Sequence, residues 1–113
     1  NPTYAPHLAA TILDVPHKIT ALDLEAPASG IYHAAGAGAT TGHGLASEIL
    51  ECGARHGRAG APLEPIASAD YPAKAPRPRN AELDCAKFEV TFGLRLPPWQ
   101  QGVAACVERL VSG

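Results

Sequence analysis

Apolar residues recur along the chain at two spacings, and the switches between them mark out the elements. Near the start, Leu8, Ala9 and Ile12 share one side of a helix, with Thr3 placed to cap it and Pro6 suited to its first turn. Pro16 takes away the N–H that would bond the Ile12 carbonyl. A kink or break is expected there, with HKITALDL as a second helical piece. After the linker EAPASG, the run GIYHAAG alternates Ile31 and His33 with Tyr32 and Ala34, the two-residue period of a short buried strand. Thr40 or Thr41 then caps a helix with the stripe Leu45, Ile49 and Cys52, which ends among Gly53, Gly57 and Gly60. PLEPIAS reads as an edge strand, since Pro62 and Pro65 cannot donate to a central ladder. Asp84 caps a third helix with Leu83 and Phe88 at the positions of a hydrophobic staple. Its buried stripe is Cys85, Phe88 and Phe92, and Gly93 stops it. Pro97 and Pro98 open the last helix, where Trp99, Val103, Cys106, Val107 and Leu110 repeat at helical spacing. On that apolar face Trp99 reads as a core anchor rather than a stacking platform.

These elements predict an α+β fold: about four helices, one of them kinked, around a small sheet of two short strands. The strands are expected to be parallel, because a helix connects them. At 113 residues the chain is one domain's worth, and 46% hydrophobic with 18% charged residues is enough apolar material for a modest core. Eleven prolines and eleven glycines imply short elements joined by stiff turns. A net charge of -2 leaves no basic footprint for nucleic acid and no polybasic patch for a membrane surface. No apolar run approaches the roughly 18 residues of a membrane span. Cys52, Cys85 and Cys106 are odd in number, far apart and set in apolar helical patterns. They read as reduced thiols, and a cytoplasmic location follows. There is no leader pattern, and the start at Asn1 without a methionine is expected to be a boundary within a longer protein.

The candidate chemistry lies in APRPRNAELDCAKF, from Ala75 to Phe88. Pro76 and Pro78 stiffen the loop, so Arg77 and Arg79 lose less entropy on meeting an anion. Guanidinium forks match phosphate oxygens, and Asn80 adds a donor and an acceptor. A solvated surface loop would carry the same residues. Tyr71 can reach a ligand from the preceding loop or pack with its hydroxyl in water. His33 lacks a partner acid or nucleophile, so a structural role outweighs a catalytic one. His7 and His17, ten positions apart, have no metal logic.

RPRNAELDCAKFEVTFGLRLPPWQQGV resembles the C-terminal segment of dTDP-4-dehydrorhamnose reductases: an Arg-Pro-x-Asn loop, a Leu-Asp-x-x-Lys helix, a Phe-Gly stop and a Pro-x-Trp helix start. NPTYAPHLAATIL and GIYHAAGAGATTGHGLASEIL resemble the same family in the same order, so the likeness covers nearly the whole chain. The family is a branch of the extended short-chain dehydrogenases. The β subunit of methionine adenosyltransferase shares this segment, which keeps a non-catalytic regulatory role open. Two departures stand out. Gly42 and His43 replace an aromatic pair, and Ala81 and Glu82 replace a common Ser-Arg pair.

The parts such an enzyme uses for hydride transfer are not in this stretch. A third glycine after Gly36 and Gly38 would fall at Thr41, and Tyr4, Tyr32 and Tyr71 are followed four places on by Leu8, Gly36 and Ala75 rather than by lysine. The resemblance therefore implies a detached, sugar-nucleotide-binding C-terminal half spanning residues 1–113. Substrate-binding residues would be Arg77, Asn80, Arg79 and Tyr71, with no catalytic, cofactor or metal residue of its own. NADPH or NADH would be held by an N-terminal Rossmann half, which would be this chain's partner, with magnesium and a homodimer left open. The implied reaction converts dTDP-4-dehydrorhamnose to dTDP-L-rhamnose, a cell-surface polysaccharide precursor, and this chain alone would be inactive.

Overall fold

Helical periodicity and well-placed caps decide this architecture. The computed structural model describes residues 1–21, 29–72, 75 and 78–113, and among these it holds four helices: α1 (Ala5–Ala21), α2 (Gly42–Arg55), α3 (Ala86–Phe92) and α4 (Trp99–Ser112). Thr41 caps α2 as expected, its hydroxyl accepting from the Gly44 N–H at 3.0 Å. At the other end Gly57 takes φ +73°, the Gly57 N–H reaches the Ala54 carbonyl and the Arg58 N–H reaches that of Gly53, each at 2.9 Å. That pair of bonds is a Schellman closure, which needs a left-handed residue. Gly93, at φ 64°, ends α3 with its N–H on the Glu89 carbonyl.

The expected sheet is not there. Among the described residues the one β contact is an isolated parallel bridge between Ala37 and Pro98, closed by the Ala37 N–H on the Pro97 carbonyl and the Trp99 N–H on the Ala37 carbonyl, both at 3.0 Å. The runs around Ile31 and Ile66 do not pair as strands. Ile31 is 85% and Ile66 61% exposed, so neither run gains the burial that would hold a ladder together. Prolines at 62 and 65 remove two donors from the second run as well. The fold is therefore helical with long extended connections.

Helix α1 also differs from expectation, running through Pro16 without a break. Pro16 and Ile12 both face solvent, where water can satisfy the carbonyl that loses its partner, and Thr20 donates to the carbonyls of Pro16 and His17. The end of the HKITALDL stretch, from Leu22, lies outside the described residues. The buried side of α1 is Thr11, whose hydroxyl folds back onto the His7 carbonyl at 2.9 Å, rather than Ile12. Thr3 does not cap the helix. Its hydroxyl accepts the Gly36 N–H at 3.0 Å and so ties the chain start to the segment before α2.

Two apolar clusters hold the helices. Cys52 of α2 packs with Trp99, Val103 and Val107 of α4, flanked by Leu45 and Val111. Phe88 and Phe92 of α3 meet at 5.2 Å between centroids, and the Tyr32 ring lies 5.0 Å from Phe92 and 6.5 Å from Phe88. Lys87 fixes the approach of Tyr32: its ammonium sits 4.5 Å over that ring and donates to the Ile31 carbonyl at 3.0 Å. The molecule stays open. Its radius of gyration is 17.5 Å, against about 13 Å for a compact chain of this size, and its thinnest dimension is 19 Å. A slab two helices thick leaves apolar side chains such as Leu13, Val90 and Leu110 at the surface.

Candidate substrate site

Asn1 and three walls close around a cavity of about 410 Å³. One wall is the backbone from Ala35 to Gly38. The second is the loop from Asn80 to Ala86 at the start of α3. The third is Glu89 of α3 with Arg95. Local chemistry shapes each wall. Asn80 turns its own loop, with Oδ1 accepting the Glu82 N–H at 2.8 Å, and Asp84 does the same for the Ala86 N–H at 2.9 Å. These are short polar side chains closing turns, and the expected cap at Asp84 falls one residue early: Asp84 bonds the first residue of α3, while Cys85 holds the capping position without a side-chain bond. Phe88 is packed against Tyr32 and Phe92, and Leu83 remains 43% exposed, so the staple contributes little.

Gly36 and Gly38 are demanded by packing. A Cβ on Gly36 would run into the Pro2 carbonyl oxygen, and one on Gly38 would meet the Trp99 ring at 3.4 Å, in a backbone conformation (φ +86°) that disfavours side chains. Both glycines are thus committed to closing the chain start and α4 onto this wall.

Electrostatics limits what the cavity suits. Glu82, Asp84 and Glu89 line it against one described cation, Arg95, which pairs with Glu89 at 3.4 Å. A diphosphate placed among three carboxylates would be repelled, whereas the hydroxyl groups of a sugar find both donors and acceptors there. Of the sequence-derived candidates, Asn80 lines the cavity. Arg79 and Tyr71 are exposed and stand outside its lining. Arg77 lies outside the described residues. His33 is exposed and also stands apart. Asn1 and Arg95 were not foreseen. Arg95 follows the Gly93 stop by two residues, a register that could have flagged it, but nothing near Asn1 in sequence points to this loop.

A second, apolar groove of about 220 Å³ runs between Tyr4 and α4, floored by Trp99 and Val103. Trp99 is only 8% exposed and belongs to the core. Gly102 lets α1 approach here, since a Cβ on it would stand 2.8 Å from the Tyr4 Cβ. Among the described residues, no group of three or more His, Cys, Asp or Glu could hold a metal ion, and no helix is long and apolar enough to cross a membrane.

The family model described as RmlD substrate binding domain matches residues 1–112. Among curated proteins, the dTDP-4-dehydrorhamnose reductase of Burkholderia thailandensis is 38% identical over 89 residues, covering 74% of this chain and 30% of its own length. That of Shigella flexneri is 34% identical over 98 residues, 85% of this chain and 33% of its own. That of Sinorhizobium fredii is 28% identical over 110 residues, 97% of this chain and 37% of its own. The chain thus spans about a third of the length of these relatives. No solved structure matches it.

Proposed function

The chain belongs to the RmlD substrate binding domain family, and on that premise we propose that it is the sugar-nucleotide-binding portion of an NADPH- or NADH-dependent reductase converting dTDP-4-dehydrorhamnose to dTDP-L-rhamnose. The observation that carries this reading is the family match over residues 1–112, joined by relatives that are named as that reductase. The geometry supports it. Asn80, within the Arg-Pro-x-Asn loop, lines a cavity whose mixed donors and acceptors suit a sugar. Arg77 and Arg79 precede it in sequence, and in this reading they are the residues that meet the diphosphate. The chain's work is to bind and orient. Hydride delivery and proton transfer belong to a Rossmann partner half, which holds the reduced nicotinamide. The thin, open shape and the apolar side chains at its surface are what a part that leans on such a half would have.

The test is reduction of dTDP-4-dehydrorhamnose followed by the absorbance of NADPH. The complete protein carrying this chain consumes NADPH, and residues 1–113 alone do not. No turnover by the folded complete protein would overturn the reading. So would turnover above background by the isolated chain.

A further inference from the structure

We propose that Asn1 is a positioning residue of this site, the clamp that sets the loop carrying Asn80 against the Gly36 wall. The inference rests on the substrate-binding reading above. The side-chain amide of Asn1 is used at both ends: Oδ1 accepts the Leu83 N–H at 2.8 Å, and Nδ2 donates to the Gly36 carbonyl at 3.3 Å. Those two walls are otherwise separate stretches of irregular backbone. Among the described residues, the bond to Asn1 is the one hydrogen bond that ties residues 78–84 to another segment; the remainder turn back within the loop.

The receiving side is rigid. Gly36 is buried, its N–H is held by Thr3 at 3.0 Å, and the Thr3 hydroxyl returns to the Asn1 carbonyl at 3.3 Å. One residue on, Ala37 is bridged to Pro98 at the start of α4. Asn1 therefore connects a wall held by several segments to one whose other hydrogen bonds are local. Its chemistry suits the task, because a carboxamide offers a neutral acceptor and a neutral donor from one short side chain, while an aspartate has no donor for the Gly36 carbonyl and an alanine has neither. A ligand that touches both walls meets them pre-spaced, so less ordering is left to binding. The effect belongs to affinity. Asn1 does not act on the reacting atoms.

The experiment uses the complete reductase carrying this chain, with Asn1→Ala, Asn1→Asp and the reference Asn80→Ala, and measures KM for dTDP-4-dehydrorhamnose, kcat and melting temperature. Asn1→Ala is expected to raise KM about three- to tenfold, the size that loss of one or two ordinary hydrogen bonds gives, with a far smaller change in kcat. Asn1→Asp keeps the acceptor for Leu83 and is expected to recover part of the loss. An unchanged KM in Asn1→Ala, alongside a raised KM in Asn80→Ala, overturns the clamp and leaves the site reading standing. An unchanged KM in Asn80→Ala overturns the site reading, and this inference with it. A lowered melting temperature and kcat with KM untouched in both Asn1 variants would make Asn1 merely structural and also overturns the clamp.

Discussion

The Trp99 N–H donates to the Ala37 carbonyl at 3.0 Å, and the indole of the same residue stands against Gly38, where a Cβ would come within 3.4 Å of the ring. One side chain thus belongs to the core between α2 and α4 while its backbone fixes a wall of the cavity. Core packing and site geometry are coupled through this contact.

Replacing Trp99 with alanine is expected to destabilise the protein by about 3 to 5 kcal/mol, the range for deleting a buried large aromatic side chain. Urea unfolding measures it. An unchanged midpoint, with weakened sugar-nucleotide binding, would contradict the anchor role.

Gly36→Ala places a methyl group against the Pro2 carbonyl, and backbone cannot yield as a flexible side chain does. The expected result is a loss of about 1 to 3 kcal/mol in stability, together with poorer ligand binding, because Asn1 and Thr3 both hold this residue. Gly42→Ala is the control. Nothing lies within 4 Å of a Cβ there, and that variant is expected to melt close to the parent.

Burial, with the Glu48 carboxylate beside it, pushes the Cys52 thiol above its ordinary range, and the nearby Arg55 offsets this only in part. The folded state then holds its proton more tightly than the unfolded chain. Stability from this residue is complete below the unfolded thiol pKa, about 8.5, and is lost as pH rises towards the raised value in the folded protein. Unfolding measured from pH 7 to 10 is expected to show a decline that is shallower in Cys52→Ala. A native thiol assay is expected to find Cys52, 2% exposed, modified last of the three cysteines.

How far the sequence could be read depended on where the information sat. Helix ends were legible because Thr41, Gly57 and Gly93 act within a few residues of themselves. The helical stripe from Trp99 to Val107 was legible for the same reason, since periodicity places a buried face before any partner is known. The sheet was misread. Short apolar runs such as those around Ile31 and Ile66 look alike whether they pair or merely connect, and a strand is defined by a neighbour that local sequence does not name. Pro16 misled in a similar way, because the cost of its missing N–H depends on whether water reaches the orphaned carbonyl. At the site, Asn80 could be singled out from its own loop, but Asn1 stands 82 positions from Leu83 and only the folded chain joins them.

In the proposed function, this chain grips a sugar nucleotide through its arginine loop. The measurement that tests it most directly is the dissociation constant for dTDP-L-rhamnose in the complete protein, with Arg77→Ala, Arg77→Lys and Arg79→Ala, at low and high salt. Arg77 and Arg79 are two positions apart, so on strand-like backbone both fall on one side, and it is Arg77, which opens the Arg-Pro-x-Asn stretch, that is proposed to meet the diphosphate. Removing Arg77 deletes one or two charge-assisted bonds of about 1.5 to 3 kcal/mol each, an affinity loss of at least about tenfold that persists in salt. Lysine, which keeps the charge without the fork, is expected to restore part of it, and Arg79→Ala to cost less than Arg77→Ala. Equal, small losses for Arg77→Ala and Arg79→Ala that vanish at high salt would mean diffuse surface charge and would contradict the claim.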